Sequence, residues 1–385
     1  MKGLILKEVE NMKHKLWEIN DYIYNNPEVG NKEFKAVKKL TDFLQENNFT
    51  VEVGILNKPT AFEATFRSNK QGPNIAYLCE YDALPQIGHG CGHNMIGTMS
   101  LGAAVALSKV LDLIGGQITV LGTPAEECDG AKVEMSEKGV FDDIDVAMIL
   151  HPAEANYESG KSLAMDAIQF HFKGKASHAA AEPEAGINAL DAVILTFNGI
   201  NALRQHIPSD TRIHGIIKEG GIAANIVPDR AIAQFYVRAN TRQALNKVVE
   251  KVKNVAKGAS LMTGAALEIS NYEISYDNMK TNAALSNAFN NNLKYVGMKN
   301  ILPAKASYGS IDMGNVSNVV PAIHPYIGIG CFDAVAHSKE FAYATVTNTA
   351  HEALIQGAAA LALTGYEVIK DEELLISIKE EFNTK

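Results

Sequence analysis

The densest group of chemically capable side chains is Gly88-His89-Gly90-Cys91-Gly92-His93-Asn94. A thiol and an imidazole two positions apart on a glycine-rich turn can both point at one cation, because glycine takes backbone dihedrals that a side chain forbids. Alone, such a turn reads more simply as a loop around a buried thiol. Further donors lie along the chain, however: Pro124-Ala125-Glu126-Glu127, His151, and His337 within Val335-Ala336-His337-Ser338. A soft thiolate, three imidazoles and a carboxylate can hold two divalent ions of the zinc class. Adjacent glutamates are usually a solvated acidic pair. Beside a cation, one can ligate while the other stays free as a base, as metal-assisted hydrolysis requires.

Strand ends would have to bring these residues together. Short apolar runs at 75–79, 117–121 and 146–150 predict buried strands, and each precedes candidate residues. Helical patterns cover 8–27, stopping at Pro27, then 32–47 and 97–110. This alternation predicts an α/β sheet with its working residues at strand ends. The pattern then changes: strand 166–173, helix 186–206, strands 212–218 and 231–239, helix 241–256, strand 265–274. That order, βαββαβ, is a ferredoxin-like unit. The first pattern resumes near Asn282, so the expectation is a discontinuous α/β domain, residues 1–165 and 277–385, with residues 166–276 inserted.

Composition narrows the classes. A chain of 385 residues with 46% hydrophobic and 21% charged residues suits two soluble domains. A net charge of −9 argues against a nucleic-acid partner. Four cysteines cannot build a disulfide framework in a chain of this length. No stretch has the length expected of an export signal or a membrane span. A cytoplasmic protein without a membrane partner is therefore expected, its cysteines being thiols or ligands.

The motifs taken in order resemble the M20 metallopeptidase family, in its amidohydrolase branch. They are Glu80-Tyr81-Asp82-Ala83-Leu84-Pro85, Cys91-Gly92-His93, Pro124-Ala125-Glu126-Glu127 and Leu150-His151-Pro152. They continue through Gly174-Lys175-Ala176-Ser177-His178-Ala179, Asn225-Ile226-Val227-Pro228, Arg238 and Gly309-Ser310-Ile311-Asp312 to Ala336-His337-Ser338. The resemblance implies a metallopeptidase-type catalytic domain carrying an inserted lid and dimerisation domain. It further implies metal ligands at Cys91, His93, Glu127, His151 and His337, a general base at Glu126, and an orienting aspartate at Asp82. His178 would reach a neighbouring subunit's site and stabilise the oxyanion. Asn225 and Arg238 would grip the substrate carboxylate, and Gly309 would lie on a pocket loop. The implied reaction cleaves the amide of a dipeptide or N-acyl amino acid, using water activated by two divalent ions. Zinc is the expected metal, with manganese or cobalt as alternatives, and the implied assembly is a homodimer through the inserted domain.

Two positions depart from the family pattern. Glu80 stands where many members have histidine, and Asn94 where most of the branch has aspartate; the second points to the dipeptidase-like subgroup. A deacylase of N-acyl amino acids or aminobenzoyl-glutamate is the nearest alternative. Two rivals come from other classes: an amidase with Cys91 as nucleophile activated by His93, and a metal- or ligand-binding protein without catalysis. His89 is expected to be too exposed to ligate, Cys79 and Cys128 to be buried thiols, and Cys331 to lie on the pocket loop. His14, His171, His206, His214 and His351 are assigned no role.

Overall fold

The computed structural model describes residues 1–305, 309–331 and 333–384. The chain divides into two compact units. The first comprises Met1–Lys161 and two later segments, Met279–Ser307 and Asp312–Lys385; the second comprises Ser162–Asn278 and the described part of Tyr308–Ile311. The inserted unit thus runs a few residues beyond the sequence boundaries at both ends, and it also takes in Gly309. Hydrogen bonds explain both differences: Leu163 N–H donates to the Gly309 carbonyl at 2.9 Å, and Met165 and Tyr276 exchange backbone bonds of 2.8 and 3.0 Å.

The first unit begins with helices α1 (Lys2–Asn25) and α2 (Phe34–Glu46). Strands β1 (Thr50–Val53), β2 (Phe62–Arg67) and β3 (Asn74–Cys79) follow, then helix α3 (His93–Ile114) and strand β4 (Gln117–Gly122). Helix α4 (Ala131–Glu137) and strand β5 (Val146–Met148) complete this half. The sheet runs β1-β2-β4-β3-β5 and ends on Ala322–Ile323. Strands β3, β4, β5 and Ala322–Ile323 are mutually parallel, while at one side β2 pairs antiparallel with β4 and β1 antiparallel with β2. Every residue of β3 is buried, as a central parallel strand requires. Helix α3 is long and apolar enough by composition to cross a membrane, and it is buried along most of its length inside this unit. Its alanines and those of the helix Asn348–Lys370 share one core.

In the inserted unit, β6 (Ala164–Lys173), α5 (Ala189–Leu203), β7 (Arg212–Glu219), β8 (Arg230–Ala239), α6 (Arg242–Thr263) and β9 (Ala266–Asn271) follow in the order βαββαβ. The sheet order is β9-β6-β8-β7, antiparallel throughout. The alternation of buried and half-buried residues along β8 turns Phe235 and Val237 into the core under α5 and α6, and leaves Tyr236 and Arg238 on the other face.

Candidate metal centre

Strands β3, β4 and β5 are parallel, so the segments leaving their carboxyl ends emerge at one edge of the sheet. These segments are Glu80-Tyr81-Asp82, Thr123–Glu127 and Ile149-Leu150-His151. Cys91 and His93 come from the turn that opens α3. Gly92 caps that helix with φ of 78°, and a Cβ at this position would lie 2.4 Å from Pro152 Cγ. Only glycine meets both conditions. The candidate ligand atoms of Cys91, His93 and Glu127 all lie within 4.8 Å of one another.

The hydrogen bonds set the imidazole tautomer. His93 Nδ1–H donates to Asp82 Oδ1 at 2.9 Å, and Asp82 Oδ2 accepts the Glu127 amide at 3.0 Å. The Nε2 lone pair of His93 is thereby turned toward Glu80 Oε2 at 3.4 Å and Glu127 Oε1 at 3.9 Å. A lone pair facing two carboxylate oxygens is repulsive unless a cation or proton lies between them. Glu127 Oε1 is buried and has no hydrogen-bond partner. A thiol, an imidazole nitrogen and a carboxylate oxygen are donors for a zinc-class cation, so the residues present fit the group the sequence implied.

His337 and His151 flank this trio. His337 Nε2 stands 3.9 Å from Glu127 Oε1, and its backbone N–H donates to the Gly90 carbonyl at 2.9 Å. Its φ of 68° is in the left-handed region, a strained choice for histidine that ties the loop to the cysteine turn. His151 Nδ1–H donates to the Pro152 carbonyl at 2.7 Å, which leaves its Nε2 as the acceptor. The rings of His93 and His151 are 5.9 Å apart.

Three residues in the same surroundings have no role assigned from the sequence, although Asp312 lies in the 309–312 motif. Lys132, on α4, is fully buried and pairs at 2.7 Å with both Glu80 Oε1 and Asp312 Oδ1. Burial would raise the Glu80 carboxyl, but the Lys132 charge outweighs it and holds Glu80 at about 2. Asp312 is pushed the other way by burial, to about 6, despite Lys132. His324 is buried with an unbonded Nδ1, and its ring centre lies 5.6 Å from that of His151. Only the order of motifs around 309–326 could have pointed to Asp312 and His324; Lys132 reads as an ordinary helix lysine.

Desolvation, followed by the charges of Glu80 and Asp312, holds the Glu126 carboxyl well above the usual carboxylate range. Such a group accepts protons readily. Burial pushes the Cys91 thiol up to about 12 against the pull of His93. His151 is lowered to about 3 by burial and by His324 and His93, and is a neutral imidazole.

The remaining candidates belong to the inserted unit. His178 is exposed, and its Nδ1 accepts N–H bonds from Ala180 at 3.2 Å and Ala181 at 3.1 Å. The adjacent Ala179 N–H donates to the Asn225 carbonyl at 3.0 Å, so the His178 and Asn225 loops are neighbours. Arg238 donates from Nη1 to Ser310 Oγ at 3.2 Å. Two sequence expectations are corrected. His89 is 1% exposed rather than open on the turn, because Gly90 N–H bonds back to the Gly88 carbonyl and folds the turn inward. Cys128 is exposed, since it follows Glu127 away from the strand end.

Residues 164–261 match the M20 peptidase dimerisation domain. The chain is 35% identical to Xaa-Arg dipeptidase of Mus musculus, across 100% of this chain and 93% of that protein. It is 35% identical to a p-aminobenzoyl-glutamate hydrolase polypeptide of Escherichia coli K12, across 75% of this chain and 64% of that one. The crystal structure of a dinuclear metal-binding peptidase of the M20 family from Bacillus subtilis superposes with a TM-score of 0.72, at 21% identity, covering 93% of this chain and 99% of that chain. The chain belongs to the M20 family of metal-dependent amidohydrolases, hydrolases that act on C–N bonds.

Proposed function

We propose that this protein is a dipeptidase whose substrate ends in a free carboxylate, with a basic C-terminal residue preferred. The convergence of the Cys91, His93 and Glu127 donor atoms within 4.8 Å, with Glu126 next to Glu127 in the chain, is the observation behind this reading. The similarity to Xaa-Arg dipeptidase over the whole chain supports the basic preference.

In this reading Cys91, His93, Glu127, His151 and His337 hold two divalent cations, zinc by preference. Bound there, the cations would polarise the scissile carbonyl and acidify water. Glu126 takes the proton of the attacking water and returns it to the leaving nitrogen, and its raised proton affinity suits both steps. Asp82 keeps His93 in the tautomer that presents Nε2. His178 donates to the developing oxyanion. Asn225 and Arg238 grip the carboxylate, the planar guanidinium suiting a bidentate contact, and Gly309 borders the pocket. Dimerisation runs through the inserted unit, in keeping with its match to a dimerisation domain.

A thiol nucleophile at Cys91 is disfavoured by its own surroundings. Without a cation beside it, burial holds the thiol at about 12, so a thiolate here needs a bound cation, which a ligand has and a free nucleophile lacks. Chelation is therefore the decisive experiment, joined to a panel of dipeptides, N-acyl amino acids and aminobenzoyl-glutamate. Activity on dipeptides with C-terminal Arg or Lys should disappear with chelator and return with zinc, manganese or cobalt. Activity that survives complete metal removal would overturn the reading. Turnover confined to N-acyl or aminobenzoyl substrates would keep the chemistry and shift the substrate to the deacylase class.

A further inference from the structure

Glu126 lies between two backbone amides, and a buried carboxylate holds each of them. On one side Asp82 Oδ2 accepts the Glu127 N–H at 3.0 Å. On the other, Glu33 Oε1 accepts the Ala125 N–H at 2.9 Å. Glu33 stands at the start of α2 with no exposed surface, and its second oxygen accepts the Thr60 hydroxyl at 2.8 Å. The Thr60 carbonyl in turn accepts the Tyr81 hydroxyl at 2.5 Å. The anchor thus leads back to the segment that carries Glu80 and Asp82.

The Ala125 peptide needs such an anchor. Its φ of 62° lies in the left-handed region, which is strained for a residue with a Cβ. The Ala125 carbonyl accepts N–H bonds from Cys128, Asp129 and Gly130 at 3.2, 2.9 and 2.7 Å, so both polar groups of this residue are engaged. Gly30, in the same connection as Glu33, presses on the turn: a Cβ there would lie 2.8 Å from Ala125 Cβ and 2.6 Å from Cys128 Sγ. Burying a carboxylate is costly, and an apolar side chain would fill the space without that penalty. An apolar side chain could not accept two hydrogen bonds in fixed directions.

We propose that Glu33 is a positioning residue for the general base: it fixes the left-handed Ala125 peptide and thereby the direction in which Glu126 leaves the backbone. This role depends on Glu126 being the base. A misdirected reacting group can cost about 10²-fold without any change in binding.

Kinetics and metal content of the metal-loaded enzyme test it together. Glu33→Ala should lower kcat by about 10–10²-fold while KM and metal content per folded chain stay within about twofold. Glu33→Gln, which still offers an oxygen to Ala125, should restore most of kcat. In a Glu126→Gln background Glu33→Ala should add almost nothing, because two residues acting through one step are non-additive. If Glu33→Ala yields no folded protein, Thr60→Val, which removes only the hydroxyl steadying the carboxylate, should lower kcat several-fold at constant KM. Unchanged kcat in the folded variants overturns the proposal, and so does a full multiplicative loss in the Glu126→Gln background. If Glu126→Gln is itself fully active, the base assignment fails instead, and the two failures remain distinct.

Discussion

Lys132 carries its charge inside the first unit with no exposed surface, between Glu80 and Asp312 at 2.7 Å each. Taking an ammonium out of water is unfavourable, so the residue is sustained by its two partners and they by it. Lys132→Met keeps the length of the side chain and strands two carboxylates, one of them 3.4 Å from His93. The expected loss is about 3–5 kcal/mol of unfolding free energy, measured by urea denaturation, because breaking a buried pair leaves an uncompensated charge. A loss under about 1 kcal/mol would mean that the carboxylates are not dependent on this cation. The contrast with Cys91, His93 and Glu126-Glu127 shows what a sequence can carry. Those residues sit in short clusters of donor side chains that suggest a cation once they are taken together along the chain. Lys132 lies in Ala131-Lys132-Val133-Glu134, where nothing local distinguishes an inward lysine from a solvated one. Its partner Asp312 is 180 positions away. Glu33 was hidden for the same reason, since its meaning depends on a contact with Ala125 that is 92 positions distant.

At the scale of elements, periodic segments and buried apolar runs were legible, and the shortest strands without either were not. The βαββαβ order of the inserted unit could be read because its strands and helices each span enough residues to show a period. A second sheet in the first unit, built from His151–Ala153, Asn156–Tyr157, Ile301–Leu302 and Tyr326–Gly328, has strands of two or three residues and no readable period. It matters because it sets the backbone of His151 beside that of Tyr326. One side chain also joins the ends of the inserted unit. Arg242, the first residue of α6, donates to Asp166 at 2.6 Å, to Asp277 at 2.5 Å and to the Tyr276 carbonyl at 2.7 Å, joining the residues where the chain begins and leaves the unit. Arg242→Ala should destabilise that unit by about 1.5–3 kcal/mol, the range for charge-assisted bonds. Limited proteolysis should then cut near 162–166 or 276–278 faster, while metal content stays unchanged. Equal proteolysis rates would show that the β6 pairing alone closes the unit.

For the whole molecule, the proposed role of His178 joins catalysis to assembly. Strand β7 is an edge strand, and Ile216 and Ile217 on it are 60% and 46% exposed. An open apolar edge invites pairing with another chain, which is how a dimerisation domain would use it. If His178 serves the partner's metal centre, neither His178→Ala nor Glu126→Gln homodimers should hydrolyse the dipeptide. Mixing the two variants after dissociation gives heterodimers as half of all dimers, each with one site that has both an intact Glu126 and an intact His178. Activity should return to about a quarter of the unsubstituted level, as two-fold symmetry dictates. If His178 acts within its own chain, every site in the mixture lacks one of the two groups and no activity returns. Adding Ile216→Lys and Ile217→Lys to both variants should abolish the regain, because chains that no longer pair cannot complete each other's sites.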